Sequence, residues 1–147
     1  MKNLEIAAAI KRFSPLMDES SEIFRELVVF FGDQAKIPMD TADLQQFLGR
    51  KRLYRIIRIS GKSFKECALQ LVDDYPEVME SLGMLRYYIC HGEMDWAKIE
   101  EAETAMGNEL SMNAYGWAPD AWTAFESQST KDENPCQMVA LIAFSIE

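Results

Sequence analysis

The sequence predicts an all-α fold: a single globular helical domain over residues 1–147, a compact bundle of about seven or eight short helices, with a short terminal strand as the alternative for its last segment. Three observations predict it. Apolar residues recur at three- and four-residue spacing through most of the chain. Helix start and stop signals punctuate it at short intervals, with acidic or hydroxyl residues before apolar runs and glycine or proline after them. Finally, a chain of 147 residues that is 48% hydrophobic and 11% aromatic can bury one continuous core without staples.

Taken in order, Ile6, Ile10 and Phe13 form a helical stripe over residues 3–13 that Ser14-Pro15 ends. Asp18 or Ser20 caps a second helix with Ile23, Phe24, Leu27, Val28 and Phe31 on its apolar face and Gly32 as its stop. Asp40 caps a short third helix with Leu44, Phe47 and Leu48 inward and Gly49 behind it. The next segment reads as a basic helix, since at 100° per residue Lys51, Arg55, Arg58 and Lys62 fall within about 60° of one another, opposite Leu53, Ile56 and Ile57. Gly61 breaks it. Ser63 and Glu66 form a capping box for a helix carrying Phe64, Cys67, Ala68, Leu71 and Val72. Pro76 opens a helix through Met79, Leu82, Leu85 and Ile89 to His91-Gly92. Asp95 caps another, with Trp96, Ile99 and Ala102 inward, Glu100, Glu101 and Glu103 outward, and Gly107 as its end. Pro119 starts a helix through Trp122 and Phe125. The apolar run over residues 135–147 hides its period, and helix is preferred there to a terminal strand.

Charge excludes some classes of function. With 15 basic and 24 acidic residues, the net charge of −9 repels nucleic acid and anionic membrane as a mean field, so only a local patch attracts either. Residues 50–65 are that patch: seven of the basic residues and no acidic one, against 8 basic and 24 acidic residues elsewhere. Three cysteines, with no C-x-x-C, read as small buried thiols in a reducing compartment. The N-terminal apolar run is preceded by Glu5 and closed by Lys11 and Arg12, which is not the pattern of a secretory leader. No apolar run approaches the roughly 20 residues of a membrane span. The expectation is a cytoplasmic protein with no membrane association.

The basic segment has three readings: a solvated face paired with the fold's own carboxylates, a dock for an acidic protein, or a phosphate-binding face. Residues 44–67 supply a resemblance for the third. Leu48-Gly49, Leu53-Tyr54-Arg55 and Gly61-Lys62-Ser63-Phe64-Lys65-Glu66 are similar to parts of the second helix-turn-helix of AraC-type transcription regulators. That resemblance implies DNA binding with Arg50, Lys51 and Arg55 facing the groove. The sequence departs from the motif by about three residues missing between the glycines, by the absent serine cap and by Arg58 at an apolar position.

Residues 76–106 resemble one tetratricopeptide hairpin at Leu82-Gly83, Tyr87, Gly92 and Ala97, with no second copy at the repeat period, and so imply an antiparallel helix pair. Catalytic motifs are incomplete. His91-x-Glu93 with Pro135-Cys136 is similar to the zinc deaminase pattern, but Val139 stands at its last cysteine. Cys90-His91 are neighbours that a helix splays about 100° apart, and Gly61-Lys62-Ser63 is the tail of a phosphate loop whose first glycine is replaced by Ile56. A spread of carboxylates at Glu77, Glu80, Glu93, Asp95, Glu100, Glu101 and Glu103 offers a complementary acidic surface, or simply solubility.

The function expected from these residues is a non-enzymatic binding protein, a small regulatory, inhibitory or adaptor module that recognises a protein partner through charged helical surfaces. Its partner-binding residues are Arg50, Lys51, Arg52, Arg55, Arg58 and Lys62. No catalytic residue, metal or cofactor is expected. The alternative is a DNA-binding regulator using a degenerate helix-turn-helix at residues 41–72.

Overall fold

Capping chemistry places most of the helices where the sequence signals them. The computed structural model describes residues 3–32, 41–49, 52–91, 94–113, 121–127 and 136–146. Helix α1 spans Asn3–Phe13 and stops at Ser14-Pro15. Helix α2 spans Glu22–Phe30, capped by Ser21 rather than by the expected Asp18 or Ser20, with Ser21 Oγ accepting from the Phe24 amide at 3.3 Å. Asp18 acts one turn earlier, accepting from the Ser20 amide at 2.9 Å. Helix α3 spans Thr41–Phe47, and Asp40, its expected cap, lies outside the described residues. Helix α4 spans Phe64–Asp74, with Ser63 Oγ accepting from the Glu66 amide at 3.0 Å as the capping box requires. A 3-10 helix follows at Pro76–Glu80. Helix α5 spans Trp96–Asn113, where Asp95 accepts from the Lys98 amide at 3.2 Å and the helix runs through Gly107 rather than ending there.

The all-α expectation is overturned by what lies between. Strands β1 (Arg52–Gly61), β2 (Gly83–His91), β3 (Ala121–Ser127) and β4 (Cys136–Ser145) form one sheet in the order β1-β4-β2-β3. The fold is mixed α/β. Strand β4 runs antiparallel to both neighbours, and β2 and β3 are parallel, joined through α5. The helices expected at residues 76–91 and through Trp122 and Phe125 are thus replaced by a 3-10 turn and strands, Pro119 lying outside the described residues, and residues 136–145 take the strand alternative. The tetratricopeptide-like helix pair goes with them. So does the helix-turn-helix: α3 and α4 are present, but the segment between them that would have to enter a DNA groove is strand β1.

Helices cover the sheet on both faces. Even-numbered residues of β2 and β4, Met84, Tyr88, Met138, Ala140 and Ile142, pack with Phe64, Leu71, Ile99 and Met106 of α4 and α5. Their odd-numbered neighbours, Leu85, Tyr87, Val139, Leu141 and Ala143, pack with Ile6, Ile10, Leu27, Phe30 and Phe47 of α1, α2 and α3. Strands buried on both faces have no reason to alternate apolar with polar, so their two-residue period vanishes from the sequence. Among the described residues no helix is long and apolar enough to cross a membrane.

Candidate functional site

Strand β1 carries the basic segment, and as an outer strand it sends successive residues to opposite layers. Arginines three apart therefore land alternately on the two helix layers. Arg52 reaches the end of α3, where Nη1 donates to the carbonyls of Gln46 at 2.9 Å and Phe47 at 2.6 Å, satisfying C-terminal acceptors that the helix leaves open. Arg55 points to the other face, donates to Glu77 in the 3-10 helix and lies 5.0 Å over the Tyr75 ring. Arg58 returns to the first face, where Nη2 donates to Glu22 and Glu26 of α2, both at 2.8 Å. Lys62 sits just past the strand on the rim of a cavity. Arg50 and Lys51 lie outside the described residues.

The reading of a cationic helix face is corrected accordingly. Arg55, Arg58 and Lys62 do not share a helical surface, and Arg55 and Arg58 meet the protein's own carboxylates. On the acidic side, Glu103 is turned inward rather than outward, while Glu80, Glu100 and Glu101 are exposed and Glu93 lies outside the described residues.

What the β1 surface offers instead is backbone and apolar surface. Its whole length pairs with β4, from Arg52 opposite Ser145 to Gly61 opposite Cys136. Among the described residues no strand pairs with its other edge. Leu53 is 60% exposed there and lies opposite Phe144, while Leu82, 50% exposed, leads into β2 at the same end of the sheet. These three residues make a short apolar row that runs from the open edge inward across β4 to β2.

Two networks that sequence reasoning missed fasten the helix layers. Tyr87 and Tyr88, adjacent on β2, point to opposite faces. Tyr87 donates its hydroxyl to Glu26 at 2.6 Å, the carboxylate that also receives Arg58. Tyr88 donates to Glu103 of α5, which also receives Arg86. Each face thus has a tyrosine, a glutamate and an arginine linking helix to sheet. Burial, and then the neighbouring carboxylate, pushes both tyrosine hydroxyls above their ordinary range. The available signal was Arg86 itself, a charge set inside the apolar run MLRYYIC, which implies a buried counter-charge.

The cavity that Lys62 borders, about 290 Å³, opens between the N-terminal ends of α4 and α5 and is lined by Lys62, Ser63, Phe64, Cys90, His91, Asp95, Lys98 and Cys136. His91 and Cys136 of the deaminase-like pattern both line it, as does Cys90, while Glu93 and Pro135 lie outside the described residues. Cys67 lies close by, with Sγ 3.7 Å from the Cys136 carbonyl, and it fits because residue 61 is glycine: a Cβ there would lie 3.1 Å from that sulfur. Burial, with Cys136 and Glu66 nearby, pushes the Cys67 thiol up to about 12. Burial also raises Cys136. Among the described residues no group of three or more His, Cys, Asp or Glu side chains is placed to hold a metal ion.

No protein-family model matches the chain, and no curated protein matches it. Solved structures do. An empty FtsZ dimer from M. jannaschii is similar over 93% of this chain and 43% of its own, with a TM-score of 0.57 and 17% identity. A point mutant of the same organism's FtsZ is similar over 81% of this chain and 35% of its own, with a TM-score of 0.53 and 16% identity. The chain spans less than half the length of either. At such identities the likeness concerns the fold, and the fold of this chain is an FtsZ-like mixed α/β sheet flanked by helices.

Proposed function

We propose that this chain is a non-enzymatic, cytoplasmic binding module, regulatory or adaptor in kind, that takes a protein partner by strand addition at the outer edge of β1. The first such partner is the β1 strand of a second copy. One observation carries the reading: a ten-residue outer strand, paired on one side only among the described residues, with an exposed Leu53 beside it. An open strand edge is a template for main-chain hydrogen bonding, and neighbouring side chains select what adds to it.

The arginines bear on which pairing is acceptable. Two β1 strands related by a twofold axis perpendicular to the sheet pair antiparallel, and same-face residues then stand opposite one another. In the register centred on Ile56, Tyr54 faces Arg58, Leu53 faces Ile59 and Arg52 faces Ser60, with no arginine opposite an arginine. Arg58, already held by Glu22 and Glu26, adds little net repulsion. The description of the similar FtsZ structure as a dimer supports testing a second copy first. Three cysteines, none in a disulfide, support the cytoplasmic location. Sedimentation velocity over a concentration series, with charge substitutions at Ser60, tests the reading.

A further inference from the structure

Cys90 on β2 and Cys136 on β4 are register partners across an antiparallel pair, so their side chains leave the same face of the sheet side by side. Directly opposed residues on such strands hold their Cβ atoms roughly 4.5–5.5 Å apart, and a disulfide needs roughly 3.5–4.5 Å, so closure asks for an approach of about 1 Å. Neither cysteine is in a disulfide, and both line the cavity between α4 and α5. Cys136 is the more accessible, while Cys90 is buried with its sulfur against the Met94 thioether at 3.1 Å. Cys67 lies against the Cys136 backbone carbonyl and beside Gly61, the β1 partner of Cys136, whereas Cys90 is its partner on β2.

We propose that Cys90 and Cys136 form an oxidation site, closing to a cross-strand disulfide when a hydroperoxide enters the cavity. The Cys136 thiol gives up its proton, and its sulfur attacks the peroxide oxygen, breaking the O–O bond. This leaves a sulfenic acid and releases the other oxygen as water or alcohol. The Cys90 sulfur then attacks the sulfenic sulfur, forming the S–S bond and expelling the hydroxyl, which leaves as water with the Cys90 proton. Two thiols lose two electrons and two protons, and the hydroperoxide accepts them. Because the attacking species is the thiolate, burial and the neighbouring Cys90, Asp95 and Glu66 slow the first step at neutral pH, while a hydrogen bond from the Phe64 backbone opposes them. The reaction therefore quickens as pH rises.

The intact protein is treated with hydrogen peroxide, then alkylated, digested without reductant and mapped by mass spectrometry. The expected result is a single Cys90–Cys136 linked peptide, a fall from three alkylatable thiols to one, and restoration by dithiothreitol. A Cys136→Ser variant and, separately, a Cys90→Ser variant lose that peptide while keeping the native circular dichroism spectrum. Linkage through Cys67, linkage only between chains, or three thiols that stay free or go directly to sulfinic acid would each overturn the assignment. So would persistence of the linked species in either variant.

Discussion

Arg86 on β2 and Glu103 on α5 form an ion pair inside the layer between sheet and helix. The guanidinium donates from Nε to Oε2 at 2.6 Å and from Nη2 to Oε1, while Arg86 is only 2% exposed and the Glu103 side chain 15%. The Tyr88 hydroxyl meets the same carboxylate. Removing one partner strands a buried charge. Glu103→Ala is expected to destabilise the fold by about 3–5 kcal/mol, whereas an apolar double replacement of Arg86 and Glu103 costs less than the single one. Urea denaturation of the three proteins checks this, and equal midpoints for wild type and Glu103→Ala would contradict it.

Arg58 makes the corresponding contact on the other face but is half exposed, with Glu22 and Glu26 as partners. Solvent screens such a pair, so Arg58→Ala is expected to cost no more than about 1 kcal/mol. The contrast between the two faces is itself the prediction. A loss at Arg58 as large as that at Glu103 would mean that burial does not rank these networks.

The legible part of the fold was local. Helices α1, α2 and α4 stand where stripe and cap signals lie, because capping is a property of a few adjacent residues. The strands were not legible, and for a physical reason. Arg52, Arg55 and Arg58 recur at helical spacing, yet on β1 they alternate between two helix layers that each supply a partner: the α3 carbonyls, Glu77, then Glu22 and Glu26. In β4, Val139 and Leu141 face one layer while Met138, Ala140 and Ile142 face the other, so every position from Met138 to Phe144 is apolar and no period survives. Of the proposed site, the residues were visible in the sequence, but their relation across strands was not. Nothing local tells Cys90 that Cys136 lies opposite.

The Ser63 cap is testable alone. Its Oγ accepts from the Glu66 amide at 3.0 Å, and Ser63→Ala leaves that donor without the cap. A loss of about 1 kcal/mol in thermal or urea unfolding is expected, with Ser63→Asp close to wild type.

Alkaline pH should weaken the fold. Cys67 is raised from 9.0 to about 12, so between these values the unfolded thiol has lost its proton while the folded one keeps it. The unfolded state then binds fewer protons, and stability falls as pH rises from about 9 toward 12. Tyr87 and Tyr88, raised above 10.0, act in the same direction. Urea midpoints measured across this range for wild type and Cys67→Ala should show the steeper decline in wild type. Stability that rises with pH there contradicts the assignment.

The open edge of β1 carries the functional account, and sedimentation velocity tests it most directly. In the register centred on Ile56, Ser60 faces Arg52 of the other copy, twice per dimer, and each cross-strand charge pair contributes roughly 0.2–1 kcal/mol. The account predicts a concentration-dependent dimer that Ser60→Glu tightens and Ser60→Lys loosens, each by roughly fivefold, with Leu53→Lys loosening it further. A chain that stays monomeric at every concentration, or a dimer indifferent to the charge at residue 60, would contradict it.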